Sequence, residues 1–538
     1  MVVYQKKIEG GTEELGSLQA KVASSVMVAK ILTLLFAGGS FIIVARLLGP
    51  DYYGAYTAAL AFSSIFVAFS DFGISQTLVR FLGEYSHNRE FKEIGVFISN
   101  ELLISIITSG LLTLAAIFFA GPAVQYSLHN LGYKGLFVLA AFGVLLSSIW
   151  NLCYSMLIGL GKGKQVALVV ALQVGIQAVT SVAFAMIGYG AFAPMLGFLL
   201  GMLAGAWTGL ALLKRMKIRI GSSLFSVAKL KEILKFSLPL GAANTISGSV
   251  ANFSIIVLGT YTTAVVLGNF GLTYKVSSML EVIVGSIGVS LIPLFAAALS
   301  DKKIKREIGK YYNYSIYLTF LLITPVLLYI AVLSQQFSYT VFGASYSLAP
   351  IYISIMAIGV LINIVGGFTS NLMISANQTM RYLKYWAVLS AVQLVLLYLI
   401  VPTYTGMGLA LIVFIIIPAL QSIVFVRRVQ MLFKTHLELG KLARVIVAGV
   451  ISAALILPLQ YVIGQNNIPL LISVAIEQLL IYPPLLALSG GISGNEIGVL
   501  RATTKEIPVV RDIISLLTGY TNVFLRLRPP PSHTQARS

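Results

Sequence analysis

The sequence has few of the residue types on which soluble enzymes depend. Only 10% of its 538 residues are charged, 18 are Asp or Glu, 4 are His, and Cys153 is the single cysteine. One cysteine forms neither an intrachain disulfide nor a cysteine metal site. The nucleotide-binding pattern GxxxxGK[ST] and the metalloprotease pattern HExxH are both absent. We therefore expect no catalytic residues, no metal site, no cofactor and no ATP hydrolysis through a P-loop.

Apolar residues dominate the chain, at 58% of the sequence with a mean hydropathy of +0.91. This composition is typical of polytopic membrane proteins. The predicted membrane spans lie at 22–45, 55–82, 94–120, 135–160, 165–188, 190–213, 236–259, 265–299, 311–333, 348–374, 383–401, 406–426, 443–463 and 468–489. The sequence therefore predicts an all-α membrane protein with about 14 transmembrane helices.

An internal repeat divides these spans into two sets. Gly54 corresponds to Gly268 and Tyr56 to Phe270, which predicts two pseudo-repeated six-helix lobes followed by two C-terminal helices. The predicted parts are an N-terminal tail (1–21), an N-lobe (22–213), a basic linker (214–235), a C-lobe (236–427), helices 13 and 14 (428–490) and a basic tail (491–538).

Basic residues fall on one side of the predicted membrane. With the N-terminus in the cytoplasm, all 37 Lys and Arg except Lys30, Arg46, Lys134 and Lys275 lie in cytoplasmic loops or tails. This is the positive-inside pattern. The net charge of +19 is then an orientation signal and an attraction to anionic headgroups, not a nucleic-acid footprint. We expect a plasma-membrane protein with both termini in the cytoplasm and no nucleic-acid partner.

Charged residues inside apolar spans are costly in lipid, so they are candidate site residues. Lys275 lies near mid-depth in the eighth span, too deep for easy snorkelling to the interface. Lys30 and Asp71 lie on adjacent spans and could pair. The alternatives are snorkelling for Lys30 and a capping role at a break near Gly73 for Asp71.

Other candidates are open to two interpretations. Arg46 flanks an outer loop, and Glu281 lies on the eighth span, so both are cavity candidates. For Glu101 and Glu477, a neutral structural carboxyl fits as well as a functional site. The tyrosines of the outer loops, Tyr53 among them, suit stacking on sugar rings and equally suit an interfacial aromatic belt.

Several short motifs occur along the chain: ARLLGPDYYG at 45–54, DFG at 71–73, LVR at 78–80, LIGLGK at 157–162, LKFSLPL at 234–240, LG at 258–259 and GNFG at 268–271. This series resembles the Wzx-like flippases of the polysaccharide biosynthesis protein family. That family belongs to the multidrug/oligosaccharidyl-lipid/polysaccharide (MOP) exporter superfamily. In one respect the chain differs: members often carry an acid shortly before the Leu-Gly of the seventh helix, where this sequence has Asn252 and Ser254.

The resemblance implies two lobes around a central cavity and transport by alternating access. Its implied cargo is a polyprenyl- or dolichyl-linked oligosaccharide, moved from the cytoplasmic to the outer leaflet. Membrane lipids and glycan-assembly enzymes are the implied partners of a monomeric protein. Transport coupled to H⁺ or Na⁺ is expected, and the residues do not decide between these ions.

Two other functions are compatible with a membrane protein of this size. A multidrug or cation antiporter of the same superfamily would need an acidic cavity, with Asp71 and Glu281 but without the two lysines. Lys30 and Lys275 instead suit an anionic cargo. A membrane glycosyltransferase or polymerase is disfavoured, because Asp51 is the only acid in any predicted outer loop and catalysis would need carboxylates there.

Overall fold

The structure is a computed structural model. It describes residues 2–71, 73–87, 91–216, 227–290, 295, 308–376, 378–463, 469, 472–473, 476–494, 496–498, 515 and 518–525. Within these ranges the side chains are described except at 2–31, 76, 80, 84–87, 91–93, 227–240, 286–290, 456–457, 459–463 and 478–479.

The described residues form helices joined by short connections and contain no β-strand. The helices are α1 (Val2–Asp71), α2 (Ile74–His87), α3 (Phe91–Leu128), α4 (Lys134–Gly159), α5 (Gly163–Ile187), α6 (Phe192–Arg215), α7 (Val227–Tyr261), α8 (Ala264–Ser290), α9 (Ile308–Val332), α10 (Ser334–Phe342), α11 (Ala349–Ser375), α12 (Thr379–Ala410), α13 (Ile417–Phe433), α14 (Leu439–Ile463) and α15 (Tyr482–Leu488). Nine helical stretches of the described chain are long and apolar enough to cross a membrane. The predicted all-α membrane fold is confirmed, whereas the count of 14 spans stays a prediction.

The first long helix is bent at Gly49, where the turn sequence Gly-Pro-Asp at 49–51 separates the spans predicted at 22–45 and 55–82. Gly49 has φ 70° and ψ 175°, a conformation that glycine reaches easily, and Pro50 follows it without a backbone N–H to continue the helix. A second break divides the span predicted at 55–82. Helix α1 ends at Asp71 and α2 begins at Ile74, because Gly73 adopts φ 83° between them. The span drawn as one helix over 55–82 is therefore divided at Gly73, where the alternative for Asp71 expected a break.

Prolines also shape the later helices. Helix α12 bends at Thr405 (φ 47°, ψ −128°), as the boundary between the spans at 383–401 and 406–426 predicts. The π-helices Leu411–Ile416 and Glu477–Ile481 come directly before the turns that contain Pro418 and Pro483. A proline removes one backbone donor and crowds the carbonyl four residues earlier. The wider π turn accommodates this without ending the span.

A stripe of glycines lets α6 pack closely against two neighbours. The stripe consists of Gly197, Gly201, Gly205 and Gly209, four residues apart and all buried. A Cβ at either of the first two would overlap atoms of α5, and one at either of the last two would overlap Trp150 or Cys153 on α4. Small residues at this spacing allow helix backbones to approach closely in membranes. The stripe therefore fixes the packing of α4, α5 and α6.

The two glycines that the repeat aligns meet where α1 crosses α8. A Cβ on Gly54 would overlap the Ala264 carbonyl, and a Cβ on Gly268 would overlap the Pro50 carbonyl. No side chain separates the two backbones at this point. The crossing therefore sets the position of α8 relative to the second half of α1.

The contacts divide the chain into two compact units. Unit 1 comprises Met1–Met279, Phe342–Leu348 and Gln378–Val413, and unit 2 comprises Leu280–Val341, Ala349–Asn377 and Phe414–Ser538. In unit 1, α1 packs against α4, α5 and α7, and α12 packs against α7. In unit 2, α9 packs against α11 and α14, and α11 packs against α13. The lobe boundaries drawn from the sequence stay a prediction, although α7 already begins within the predicted linker.

Candidate functional site

A cavity of about 240 Å³ lies within unit 1. Helix α1 lines it on both sides of the Gly49 bend, and α5, α6, α7 and α8 complete the wall. The lining residues are Ala37, Ser40, Phe41, Val44, Tyr53, Tyr56, Thr57, Leu60, Ala61, Ser64, Gln177, Ser181, Pro194, Asn252, Ile255, Gly271, Tyr274, Lys275 and Ser278. The cavity is therefore formed by helices from both halves of the predicted repeat.

Lys275 supplies the charge of this cavity. Its side chain is exposed, and it is the only formally charged residue among the described residues that line the space. The polar groups around the cavity are neutral amides and hydroxyls, such as those of Gln177, Asn252 and Ser278. No described carboxylate forms an ion pair with Lys275. The cavity is therefore positive, and its charge is available to an anion.

Aromatic rings line the wall that α1 provides. Tyr53 packs against Tyr56, with ring centroids 5.7 Å apart, and against Phe41, at 5.9 Å. Tyr274 contributes a fourth ring from α8, and Lys275 is the next residue in the sequence. The Thr57 hydroxyl donates to the Tyr53 carbonyl at 2.8 Å, so this hydroxyl is paired within α1. The site combines a cation with several ring faces.

A short segment after α10 holds the bend of α1 in place. The buried Tyr346 donates its hydroxyl to the Ala45 carbonyl at 2.8 Å, just before the bend. Phe342 packs on Phe41 with ring centroids 5.5 Å apart. The Leu348 N–H donates to Asn269 Oδ1 at 3.1 Å, which ties the same segment to α8. Residues far along the chain therefore position the wall of the cavity.

Of the residues predicted as cavity groups, the structure places Lys275 at the cavity. Arg46 is exposed on α1 and is not among the lining residues, and Glu281 is exposed on α8. Asp71 is half-buried at the end of α1, where the Ser75 hydroxyl donates to it. This position fits the alternative of a residue at a helix break. The side chain of Lys30 lies outside the described residues, so its pairing with Asp71 stays a prediction.

Several lining residues could not be singled out from the sequence. Tyr56, Gln177 and Ser181 are neutral and lie in spans where nothing marks them as special. One signal was available for Tyr56, since the repeat aligns it with Phe270. Asn252 was marked only by its difference from the acid that related flippases often carry nearby. Its place in the wall gives that difference a consequence, because it leaves Lys275 without an acidic neighbour in the cavity.

Solved structures with the same fold are transporters. The lipid II flippase MurJ in an inward closed conformation aligns with a TM-score of 0.67 and 16% identity, covering 87% of this chain and 98% of that chain. An inward-facing multidrug resistance MATE family transporter of the MOP superfamily aligns with a TM-score of 0.66 and 17% identity, covering 77% of this chain and 98% of that chain. A MOP superfamily transporter from Pyrococcus furiosus Vc1, described by the reverse polarity of its binding pocket, aligns with a TM-score of 0.56 and 17% identity. The alignment covers 78% of this chain and 95% of that chain. At these identities the similarity establishes the fold.

The sequence itself matches one protein family. No curated protein matches the chain significantly. The profile of the family described as polysaccharide biosynthesis protein matches residues 20–299, more than half of the chain. This stretch contains every motif that carried the resemblance and all residues that line the cavity. The protein is thus a multi-pass membrane protein with a MOP transporter fold, and the chain belongs to the polysaccharide biosynthesis protein family.

Proposed function

We propose that the protein is a flippase that moves a lipid-linked oligosaccharide from the cytoplasmic to the outer leaflet. The lipid is a polyprenol or dolichol joined to the glycan through phosphate or pyrophosphate. The observation that carries this proposal is the cavity in unit 1, where Lys275 is the one formal charge among the described lining residues. A phosphate-linked headgroup that enters a membrane protein needs a cation to pair with.

The remaining cavity groups suit a glycan. The faces of Tyr53, Tyr56 and Tyr274 offer apolar surfaces for sugar rings, while their hydroxyls bind at the ring edges. The amides of Gln177 and Asn252 provide donors and acceptors for sugar hydroxyls. In this arrangement Lys275 fixes the phosphate end of the headgroup, and the neutral groups tolerate a range of sugars.

Passage of such a headgroup requires the helices to move. The cavity volume of about 240 Å³ is below the ~300–1,000 Å³ of ordinary ligand pockets. An oligosaccharide therefore enters only when the wall opens. Helix α1 lines the cavity on both sides of Gly49, so rotation at this bend separates two parts of the wall. This supports alternating access with Gly49 and Pro50 as a hinge in α1.

The proposal includes an orientation and partners. The distribution of Lys and Arg supports an orientation with both the N- and the C-terminus in the cytoplasm. The membrane that the protein spans is the plasma membrane. The protein acts as a monomer without a cofactor, within the lipid bilayer, and receives its substrate from glycan-assembly enzymes. Transport is secondary and coupled to an ion, for which H⁺ and Na⁺ are the candidates.

The alternative is a cation antiporter, which the fold shared with the MATE transporter allows. A cavity that binds an organic cation needs a carboxylate, as electrostatic complementarity requires. Among the described residues that line the cavity there is none. The sign of the cavity charge therefore favours an anionic cargo over a cation.

A transport assay in proteoliposomes tests the proposal. The probe is a short-chain polyprenyl-pyrophosphate saccharide with a fluorescent label, whose transfer between leaflets is followed by a membrane-impermeant quencher. The same polyprenol with a neutral saccharide headgroup and a fluorescent organic cation serve as comparison probes. We expect the wild type to flip the anionic probe fastest. Lys275→Met should slow that flipping at least about tenfold, equal to ~1.4 kcal/mol of lost stabilisation.

Lys441→Met is the matched control, because it also removes one lysine charge from an apolar helix, here at the start of α14 in unit 2. It should leave flipping of the anionic probe unchanged. The proposed function would be contradicted if Lys275→Met flipped the anionic probe at the wild-type rate, or if the protein transported the cation in preference to both lipids.

A further inference from the structure

A second polar site in unit 1 lies at Glu101 on α3, a helix that contributes no residue to the cavity lining. The Glu101 side chain has no exposed surface, and neither carboxyl oxygen has a hydrogen-bond partner in the described structure. One turn before it, Phe97 belongs to an apolar cluster with Leu78 of α2 and Met156 of α4. Glu101 is therefore a polar group in surroundings that offer it no donor.

Asp71 is the acidic neighbour of this residue. It ends α1, which packs against α3, and its carboxylate interacts electrostatically with Glu101. Asp71 also lies at the C-terminal, negative end of a helix dipole. Its own oxygen accepts from the Ser75 hydroxyl, whereas Glu101 receives nothing comparable. Both the neighbouring carboxylate and the helix end oppose a negative charge on Glu101.

The other elements that pack on α3 do not compensate this charge in the described structure. Apart from Lys134 at its start, the titratable side chains of α4 are the neutral Cys153 and Tyr154, and the described side chains of α7 include no acidic or basic residue. The side chain of Arg80 on α2 and the basic residues at the start of α7 lie outside the described side chains. An ionised carboxylate without a donor or a counter-ion is very costly in an apolar interior.

We infer that Glu101 is a proton-binding site of this transporter, with Asp71 as the neighbouring group that opposes its ionisation. A proton satisfies the carboxylate by forming the neutral acid, and it is released to water when α1 and α3 separate. A metal ion fits less well, since hard cations take about six or more oxygen ligands. The described residues contain no group of three or more acidic, His or Cys side chains that could hold one. Use of this proton to drive flipping rests on the proposed function, whereas its binding does not.

Infrared spectroscopy of the reconstituted protein tests the site without any lipid-linked substrate. At neutral pH, the wild type should show the carbonyl stretch of a protonated carboxyl group that shifts in D₂O. Glu101→Gln should lack that band. Glu477→Gln is the matched control, because Glu477 is also buried but accepts a hydrogen bond from Ser452 at 2.7 Å. It should leave the Glu101 band in place.

A second variant covers the case in which Glu101→Gln does not fold. Asp71→Asn removes the opposing charge, so the Glu101 band should persist over a narrower range of alkaline pH than in the wild type. An unchanged neutral-pH spectrum in Glu101→Gln, or an unchanged titration in Asp71→Asn, would overturn the inference. Loss of the wild-type band on adding Na⁺ at constant pH would replace the proton site by a cation site. A failed flipping assay with these infrared results intact would count against the proposed cargo alone.

Discussion

Lys275 and Lys441 are two lysines on apolar helices, and they differ in whether a carboxylate of the described protein pairs with their charge. Lys441, at the start of α14 in unit 2, has its Nζ 3.0 Å from Glu438 and 3.4 Å from Glu496, and it lies 5.7 Å from the Tyr317 ring centroid. Lys275 faces a cavity whose described lining contains no carboxylate. The charge of one lysine is balanced within the protein, while that of the other is left for a mobile partner.

The difference between the two lysines indicates that one contributes to stability and the other to function. A partly exposed ion pair such as that of Lys441 contributes little to folding, because water and salt screen it. A lysine without a partner in a membrane protein opposes folding, so its presence indicates a use in binding. Single substitutions can therefore give Lys275 an internal partner or remove that of Lys441. We expect their effects on flipping and on stability to differ in size.

The largest effect is expected from moving the helix that carries Lys275. Gly54→Ala places a methyl group against the Ala264 carbonyl and forces α1 and α8 apart. We expect a loss of about 1–3 kcal/mol in stability, the usual cost of overpacking, together with slower flipping of the anionic probe. Thermal unfolding in detergent measures the first and the proteoliposome assay the second. Gly39→Ala on the same helix is the control, since its added methyl meets open space.

The next effect comes from giving Lys275 an internal partner, as Lys441 has. Asn252→Asp places a carboxylate in the same cavity, where it pairs with Lys275 and repels a phosphate group. Flipping of the anionic probe should fall by about tenfold, or ~1.4 kcal/mol. Asn252→Ala removes the amide without adding charge and should cost less. A faster Asn252→Asp variant would mean that the cavity does not select anions.

A smaller effect is expected when the charge is kept and its geometry changes. Lys275→Arg retains the cation, but the planar guanidinium is wider and directs its donors differently. Its flipping rate should lie between those of Lys275→Met and the wild type, with a loss below about tenfold, ~1.4 kcal/mol. If Lys275→Arg were as slow as Lys275→Met, the ammonium group itself would be required rather than its charge.

The smallest effect is expected at Lys441. Lys441→Met should lower the stability by at most about 1 kcal/mol, as for other partly exposed ion pairs, and less at high salt. The hydrogen bond with Glu438 raises the pKa of Lys441 above its usual value; partial burial opposes this and the Glu496 carboxylate adds to it. The contribution is therefore complete below the ordinary lysine pKa of about 10.4 and is lost as the pH rises through the raised value. Thermal unfolding of both proteins at neutral and alkaline pH measures this, and a difference that grows with pH would contradict it.

The sequence predicted those features that depend on local pattern. Long apolar runs located the helices, and the motif at 45–54 indicated both the bend at Gly49 and the family. Lys275 could be identified because a charge in an apolar span is unusual. Neutral residues such as Tyr56 and Gln177 carry no such mark, and their convergence depends on helix packing. The break at Gly73 was raised only as an alternative for Asp71, because a glycine within an apolar span is common and does not by itself end a helix.

The hydrogen bond between Tyr346 and Ala45 has a consequence for biosynthesis. The two residues are 301 positions apart, so α1 enters the membrane long before its partner exists. At about 5–20 residues per second, the ribosome needs roughly 15–60 s to reach Tyr346. During this interval the Ala45 carbonyl lacks the phenol donor and Phe41 lacks the Phe342 ring. An N-terminal fragment that ends before Phe342 is therefore expected to insert its helices but to leave the bend of α1 accessible to chaperones and proteases. In the full chain this accessibility should end once the later segment has been made.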